Sequence, residues 1–181
     1  IKVTQPSTKS NILDIGSGTG FAVNELKEAG YNCYGLEKSD TMIEYSNQLY
    51  PDVHIEKGIA ENSMLFDKST FTHIMCTYFT IYNIEDKQKF FRNCYFWLQP
   101  NGYLIIHLVD KENMNKLIPH ETHDTSYETD LENVVQNTSV FNDFKYKGLL
   151  KMPHNSNKCE LVETFTEHDS EHIRQNETTL Y

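Results

Sequence analysis

Three glycines at alternate positions follow an acidic residue near the start of the chain. Asp14 precedes the run Gly16-Ser17-Gly18-Thr19-Gly20. Glycines let a backbone turn sharply and approach a ligand closely, because no Cβ stands in the way. When a helix follows such a turn, its free N–H groups point at the same place. The pattern predicts a turn that binds a nucleotide-type cofactor.

A second acid, Glu37, follows the short apolar stretch 33–36. An acid at the end of a second strand can accept hydrogen bonds from both hydroxyls of a ribose, which NAD and S-adenosylmethionine (SAM) both carry. The dinucleotide fingerprint G-x-G-x-x-G/A needs a small residue where this chain has Phe21. The spacing suits the amino acid end of SAM, whose ammonium Asp14 can meet directly or through water. An NAD-dependent oxidoreductase stays open as an alternative.

The sequence around these acids closely resembles two motifs of the class I SAM-dependent methyltransferases. Residues 11–20 resemble motif I. Residues 36–42 resemble the second motif, in which the acid is followed by Ser two places on and by Met five places on. The resemblance implies a Rossmann-like fold, SAM as the cofactor and S-adenosylhomocysteine (SAH) as its product.

Three further segments continue the resemblance in the family's order, so that it covers about residues 11–109. Residues 71–82 resemble motif IV, and residues 98–106 resemble the turn and fifth strand of the family's sheet. Residues 58–61 read Gly-Ile-Ala-Glu, where the family usually has Gly-Asp-Ala-Glu. Ile59 therefore replaces the acid that commonly meets the adenine. We expect the Ala60 N–H, or the side chains of Glu61 and Asn62, to contact the adenine instead.

The resemblance implies a cofactor site drawn from all of these motifs. Its predicted members are Asp14, Gly16, Ser17, Gly18, Gly20, Glu37, Lys38, Met42, Ala60, Glu61, Cys76 and Thr77.

The acceptor side is predicted from the residues that follow the fourth strand and from the fifth strand. Tyr78 and Tyr82 follow strand four, and His107 is expected in strand five near its end. A neutral imidazole can take a proton from an incoming ammonium. These three are the candidate catalytic residues, although packing would also explain each of them.

The predicted acceptor is a small soluble molecule, methylated on an amine nitrogen. The fourth-strand region and the polar segment 174–181 loosely resemble amino-sugar N,N-dimethyltransferases and glycine/sarcosine N-methyltransferases. Neither the Asn/Asp-Pro-Pro-aromatic motif of DNA base N-methylation nor a Pro-Cys nucleophile is present. The alternative is a SAM-binding module without catalysis, with a regulatory or scaffolding role.

Alternating apolar runs and helical patterns must position these residues. We predict an α/β fold: a doubly wound, mostly parallel sheet with a C-terminal antiparallel cap. The expected strands are 11–15, 33–36, 53–55, 72–77 and 103–109, and the expected helices are 21–29, 41–49 and 85–98. An apolar stripe is expected along the last helix, at Phe90, Phe91, Cys94, Tyr95 and Leu98. Residues 58–69 are expected to be mostly loop and residues 100–102 a turn.

The later part of the chain is expected to form the cap. A short helix is predicted at 130–135, and strands at 144–152, 159–166 and 173–181. We therefore expect one domain, with a SAM-binding core at 1–110 and a substrate-side cap at 111–181. The family usually has a helix before motif I and two further strands, so a chain truncated at both ends is expected. If two of the late strands are instead the family's sixth and seventh, the fold is nearly complete.

Composition limits the partners. The formal net charge is −10, with 16 scattered basic residues, which disfavours nucleic acid. No apolar run reaches the roughly 18 residues that cross a bilayer, and no signal peptide is evident. Isolated cysteines indicate free thiols and a cytoplasmic location. The pair His120 and His123 lacks a third placed ligand, so no metal is predicted. A homodimer stays open.

Overall fold

The computed structural model describes residues 2–110, 126–128, 134–153, 156–170 and 172–181. The chain forms two compact units, Ile1–Leu108 and Val109–Tyr181. That they make one domain, with the second unit as a substrate-side cap, stays a prediction. No helix in the described ranges is long and apolar enough to cross a membrane.

The first unit contains a fully parallel five-stranded sheet. Its strands are β1 (Asn11–Ile15), β2 (Asn32–Glu37), β3 (Ile55–Lys57), β4 (Phe71–Cys76) and β5 (Leu98–Ile106). They lie in the order β3-β2-β1-β4-β5. The strand order therefore reverses between β1 and β4, which is where open α/β sheets bind their ligands. The predicted doubly wound parallel sheet is confirmed.

Three helices connect these strands, and two of them have side-chain caps. They are α1 (Phe21–Glu28), α2 (Asp40–Leu49) and α3 (Lys87–Trp97), and a 3-10 turn at Thr80–Asn83 precedes α3. Ser39 Oγ accepts from the Met42 N–H, and Asp86 accepts from the Lys89 N–H, so each satisfies an amide that a helix start leaves free.

The core of the first unit lies on both faces of the sheet, because β1 is buried on both sides. Leu13 and Ile15 belong to a large cluster that includes the α3 residues Phe90 and Trp97. Ile12 belongs to a second cluster, with Val23 of α1. The continuous apolar run of β1 follows from this double burial.

The predicted apolar stripe of α3 is right at Phe90 and Cys94 and wrong at two other positions. The apolar stripe was expected to include Phe91 and Tyr95, but these are 46% and 84% exposed. The buried positions are Phe90, Asn93, Cys94 and Trp97. They follow the i, i+3, i+4, i+7 spacing of one helix face, and one of them is polar. Selecting apolar residues alone therefore left out Asn93 and included two exposed aromatic residues.

Strands β3 and β5 begin and end at other residues than predicted. Strand β3 begins at Ile55, where the prediction ended it. Strand β5 begins at Leu98, so the predicted turn 100–102 lies inside the strand as an irregularity between two paired stretches. The strand ends at Ile106, which leaves His107 just beyond the strand in which it was expected.

The second unit contains an antiparallel meander of five strands. They are β6 (Ser126–Glu128), β7 (Val134–Val140), β8 (Phe144–Lys151), β9 (Cys159–Glu167) and β10 (Ile173–Leu180), in the order β10-β9-β8-β7-β6. The three late strands are confirmed. The helix expected at 130–135 is wrong at Val134 and Val135, which pair with Lys151 and Leu150 of β8, as β-branched residues favour.

Strand β8 alternates between buried apolar side chains and exposed lysines. Tyr146 and Leu150 are buried, whereas Lys145, Lys147 and Lys151 are exposed. Apolar side chains therefore cover one face of the sheet and lysines face water on the other.

Candidate cofactor site

The glycine turn follows β1 and is fixed to β2 by the backbone. The N–H groups of Gly16 and Ser17 both donate to the Leu36 carbonyl, at 2.8 and 3.2 Å. Gly16 has a φ of +74°, and a Cβ there would collide with the Thr80 side chain. A side chain is thus excluded by conformation and by space, which explains the glycine at this position.

Glu37 joins the end of β2 to this turn through its carboxylate. Its Oε2 accepts from the Gly18 N–H at 2.9 Å, and its Oε1 accepts from the Lys38 and Ser39 N–H groups at 2.8 and 2.9 Å. The residue is buried. A carboxylate offers about four acceptor positions, so these three bonds leave room for a hydroxyl of a ligand.

Asp14 is a buried acid that lacks a full set of partners. It is 3% exposed, and no described residue bonds to its Oδ1. Burial, and then the charge of Glu37, raise the pKa of Asp14 to about 7. The hydroxyl of Ser17 is likewise buried without a partner among the described residues. Because orphaned buried polar atoms are costly, these two fit a polar, cationic ligand group.

An open cleft of about 220 Å³ lies beside the glycine turn. Five of the predicted cofactor residues line it: Gly16, Glu37, Lys38, Ala60 and Glu61. Apolar walls come from Ile15, Leu36, Ile59 and Ile84, and polar groups come from Thr80 and Asn83. A cleft with charged groups beside apolar walls suits a nucleoside carrying a charged tail.

The segment after β3 forms one wall of this cleft. The Gly58 N–H donates to the Glu37 carbonyl at 2.9 Å, and the Asn62 N–H donates to the Ile59 carbonyl at 3.0 Å. Ile59 is 51% exposed and lines the cleft where the family usually has an acid. Asn62 accepts from the Met64 N–H and is not among the lining residues.

The other seven predicted cofactor residues, including Asp14 and Ser17, lie outside the cleft lining. Gly18 and Gly20 complete the turn, with φ values of +55° and +78°. Met42 lies on α2 and is 44% exposed. Cys76 is fully buried at the end of β4, and burial raises the pKa of its thiol to about 12, which makes it a poor nucleophile. The Thr77 carbonyl accepts from the Thr80 N–H.

Two of the three candidate acceptor-side residues, Tyr82 and His107, lie beside Phe79, which the sequence motifs did not single out. The ring centroid of Phe79 lies 4.2 Å from that of His107 and 6.4 Å from that of Tyr82. The His107 N–H donates to the Cys76 carbonyl, which holds His107 at the carboxyl end of β4. Tyr78 is 79% exposed. Tyr78 and Phe79 both have positive φ, at 49° and 63°, which is uncommon for residues with a Cβ.

Several residues of the site carried no usable signal in the sequence. Thr80, Asn83 and Ile84 line the cleft from the 3-10 turn and its end, and no motif singled them out. Two side chains of α3, Lys87 and Asn93, bond to backbone that lines the cleft. Such contacts join residues that are not neighbours in a motif, so spacing alone could not find them.

No group of three or more His, Cys, Asp or Glu residues in the described ranges could hold a metal ion. His120 and His123 lie outside those ranges.

A family model described as a methyltransferase domain matches residues 13–106, more than half of the 181-residue chain. The chain belongs to this family. The matched region begins within β1 and ends with β5, so it contains nearly all of the parallel sheet and every residue that lines the cleft. The resemblance to class I SAM-dependent methyltransferases is confirmed, and with it SAM as the cofactor.

Individual relatives agree with this assignment. The chain is 26% identical over 109 residues to a phosphoethanolamine N-methyltransferase of Plasmodium falciparum. That alignment covers 54% of the chain and 38% of the relative's length, so the chain corresponds to well under half of that protein.

Solved structures show the same fold at low identity. CalS10, an amino pentose methyltransferase from Micromonospora echinaspora, was solved with SAM bound. It superposes with a TM-score of 0.65 at 15% identity, covering 99% of this chain and 71% of that one. The sugar N-methyltransferase KedS8 from Streptoalloteichus also gives 0.65 at 15% identity, covering 98% and 66%.

Proposed function

We propose that this methyltransferase domain holds SAM in the cleft beside the glycine turn and methylates an amine nitrogen of a small soluble molecule. The observation that carries the proposal is the buried pair of acids at the ends of β1 and β2. Asp14 has an unpartnered oxygen, and Glu37 has a spare acceptor position beside the turn. A ligand with an ammonium and a ribose diol matches both groups.

The residues that line the cleft, and Asp14 beside it, then each have a role toward the cofactor. Asp14 would meet the ammonium, directly or through water, and Glu37 would accept from the ribose hydroxyls. Ile59 would give an apolar surface to the adenine, and the backbone of Ala60 together with the Glu61 side chain would supply polar contacts. When bound, SAM supplies a methyl group on a sulfonium, which is already strongly electrophilic.

The chain's remaining task is to hold the acceptor in line and in the right protonation state. Positioning of two reactants supplies several kcal/mol of rate enhancement. An amine attacks only through its lone pair, so an ammonium must first lose a proton. His107 is exposed and is held at the carboxyl end of β4, so it is our candidate for that proton transfer. Tyr78 and Tyr82, with Phe79, would form an aromatic surface on which a cationic amine is stabilised.

The names of the relatives support a small amine as the acceptor. One is a phosphoethanolamine N-methyltransferase, one an amino pentose methyltransferase and one a sugar N-methyltransferase. A net charge of −10 disfavours nucleic acid and favours a cationic or neutral acceptor. A cytoplasmic location and a homodimer stay predictions.

The test is methyl transfer from SAM to a panel of small amines that includes phosphoethanolamine, amino sugars and glycine. Mass spectrometry would measure the methylated product and SAH. We expect stoichiometric formation of both with at least one acceptor, and a large loss of rate in His107→Gln. SAM binding without turnover on the whole panel would contradict the proposal and favour the non-catalytic module.

A further inference from the structure

A polar side chain lies on the buried face of α3, where an apolar residue would be expected. Asn93 is 1% exposed, and its neighbours on that face are Phe90, Cys94 and Trp97, all fully buried. Burying an amide without hydrogen bonds is costly, so a buried Asn indicates a specific bond.

That bond reaches the wall of the cofactor cleft. The Asn93 Nδ2 donates to the Ala60 carbonyl at 2.9 Å, across 33 positions of sequence. Ala60 is itself buried and lines the cleft. The same short segment is fixed to β2 by the bond between the Gly58 N–H and the Glu37 carbonyl. The Ala60 segment is therefore held from two sides, by β2 and by α3.

We propose that Asn93 is a positioning residue for the adenosine end of the cofactor. Ile59 replaces the acid that the family usually has at this position. The adenine is therefore bound mainly by polar groups of the backbone at Ala60. Backbone groups recognise a ligand well only when the chain is held in place, because they cannot adjust by rotating a side chain. The inference rests on the proposed function of the cleft.

Trp97 offers a matched control on the same helix. Its Nε1 donates to the Ser63 carbonyl at 3.4 Å, so it also joins α3 to the loop after β3. Ser63 does not line the cleft. Trp97→Phe therefore removes a bond to the same loop, outside the cleft lining, and part of a core side chain, while the bond from Asn93 to Ala60 is kept.

The experiment measures calorimetric dissociation constants of the full chain for two ligands, SAH and 5′-methylthioadenosine. The second ligand has the adenosine end of SAH and no amino acid end. The variants are Asn93→Asp, Trp97→Phe and Asp14→Asn, each with its thermal unfolding measured. Asn93→Asp keeps the shape of the side chain and removes the donor when the carboxyl group is ionised. Asn93→Ala is measured beside it in every assay, because it removes the donor without adding a buried carboxyl group that could keep its proton and donate it.

We expect Asn93→Asp to weaken both ligands by the same factor, at least about fivefold, as the loss of a buried hydrogen bond allows. Trp97→Phe should lower the unfolding temperature and keep both affinities within about twofold, because its bond lies outside the cleft. Asp14→Asn should weaken SAH and leave methylthioadenosine unchanged.

Two results would overturn the inference: folded Asn93 variants that bind both ligands as the wild type does, or an equal loss in Trp97→Phe. A wild-type chain that binds neither ligand would instead refute the proposed function, and the inference with it.

Discussion

The affinity of the domain for SAH should increase as the pH rises from 5.5 to 7, because of Asp14. Burial, and then the charge of Glu37, raise the pKa of the Asp14 carboxyl from 3.8 to about 7 in the free protein. Below that pH the group holds its proton and cannot pair with the ligand's ammonium. Binding of the cation should therefore release a proton.

The size of the effect follows from the ionised fraction of Asp14. With a pKa of about 7, roughly 3% of the group is ionised at pH 5.5 and about half at pH 7, so the affinity should rise about 16-fold. The measurements stop at pH 7, because the α-amino group of SAH itself loses its proton at about pH 8. At pH 6, binding should release about 0.9 proton per site.

The raised pKa of Asp14 also affects the stability of the free protein, which should fall as the pH rises, whereas the affinity for SAH should increase. A raised carboxyl pKa favours the folded state at low pH, and that contribution is lost as the pH rises from 3.8 to about 7. A pKa shift of this size means that ionised Asp14 costs about 4 kcal/mol more in the folded protein than in the unfolded chain. Asp14→Asn should therefore raise the unfolding temperature of the free domain at pH 8 while it weakens SAH binding.

Calorimetry in two buffers of different ionisation enthalpy measures both the dissociation constant and the protons released. Asp14→Asn is the control, and its SAH affinity should not change between pH 5.5 and 7. A wild-type affinity that is independent of pH over this range, or an equal slope in Asp14→Asn, would refute the role given to Asp14.

Three further predictions test the turn, the aromatic surface and the cysteines. Gly16→Ala should destabilise the domain more than Gly18→Ala in thermal unfolding, because a Cβ at Gly16 meets Thr80 whereas one at Gly18 meets nothing within 4 Å; equal losses would show that the turn conformation alone matters. Phe79→Ala should lower kcat with the SAH dissociation constant within about twofold, and a matching loss of SAH affinity would remove Phe79 from the acceptor side. In the folded domain a thiol reagent should modify Cys159 first, since it alone among the four cysteines is not buried; faster modification of any other cysteine would contradict the structure.

The sequence predicted the glycine turn and the strands on either side of it because their determinants are local. The run from Asp14 to Gly20 and the acid Glu37 each lie at the end of a buried strand. In a parallel sheet those strand ends meet at one edge. The order β3-β2-β1-β4-β5 then places Glu37 beside the glycine turn, where its carboxylate bonds to Gly18.

The features that the sequence did not reveal depend on contacts between distant residues. Asn93 is polar, so the apolar pattern left it out of the buried face of α3 and added the exposed Phe91 and Tyr95. Only the bond to Ala60 explains its burial. Val134 and Val135 were likewise assigned to a helix, because pairing with β8 cannot be read from a short segment alone.

The central claim is that the cleft beside the glycine turn binds SAM through Asp14 and Glu37. Calorimetric titration of the chain with SAH at pH 7, with NAD as the comparison ligand and Glu37→Gln as the variant, tests it most directly. We predict saturable SAH binding, no binding of NAD, and a loss of at least about tenfold in affinity in a folded Glu37→Gln protein. Binding of NAD in preference to SAH, or unchanged SAH affinity in Glu37→Gln, would contradict the account.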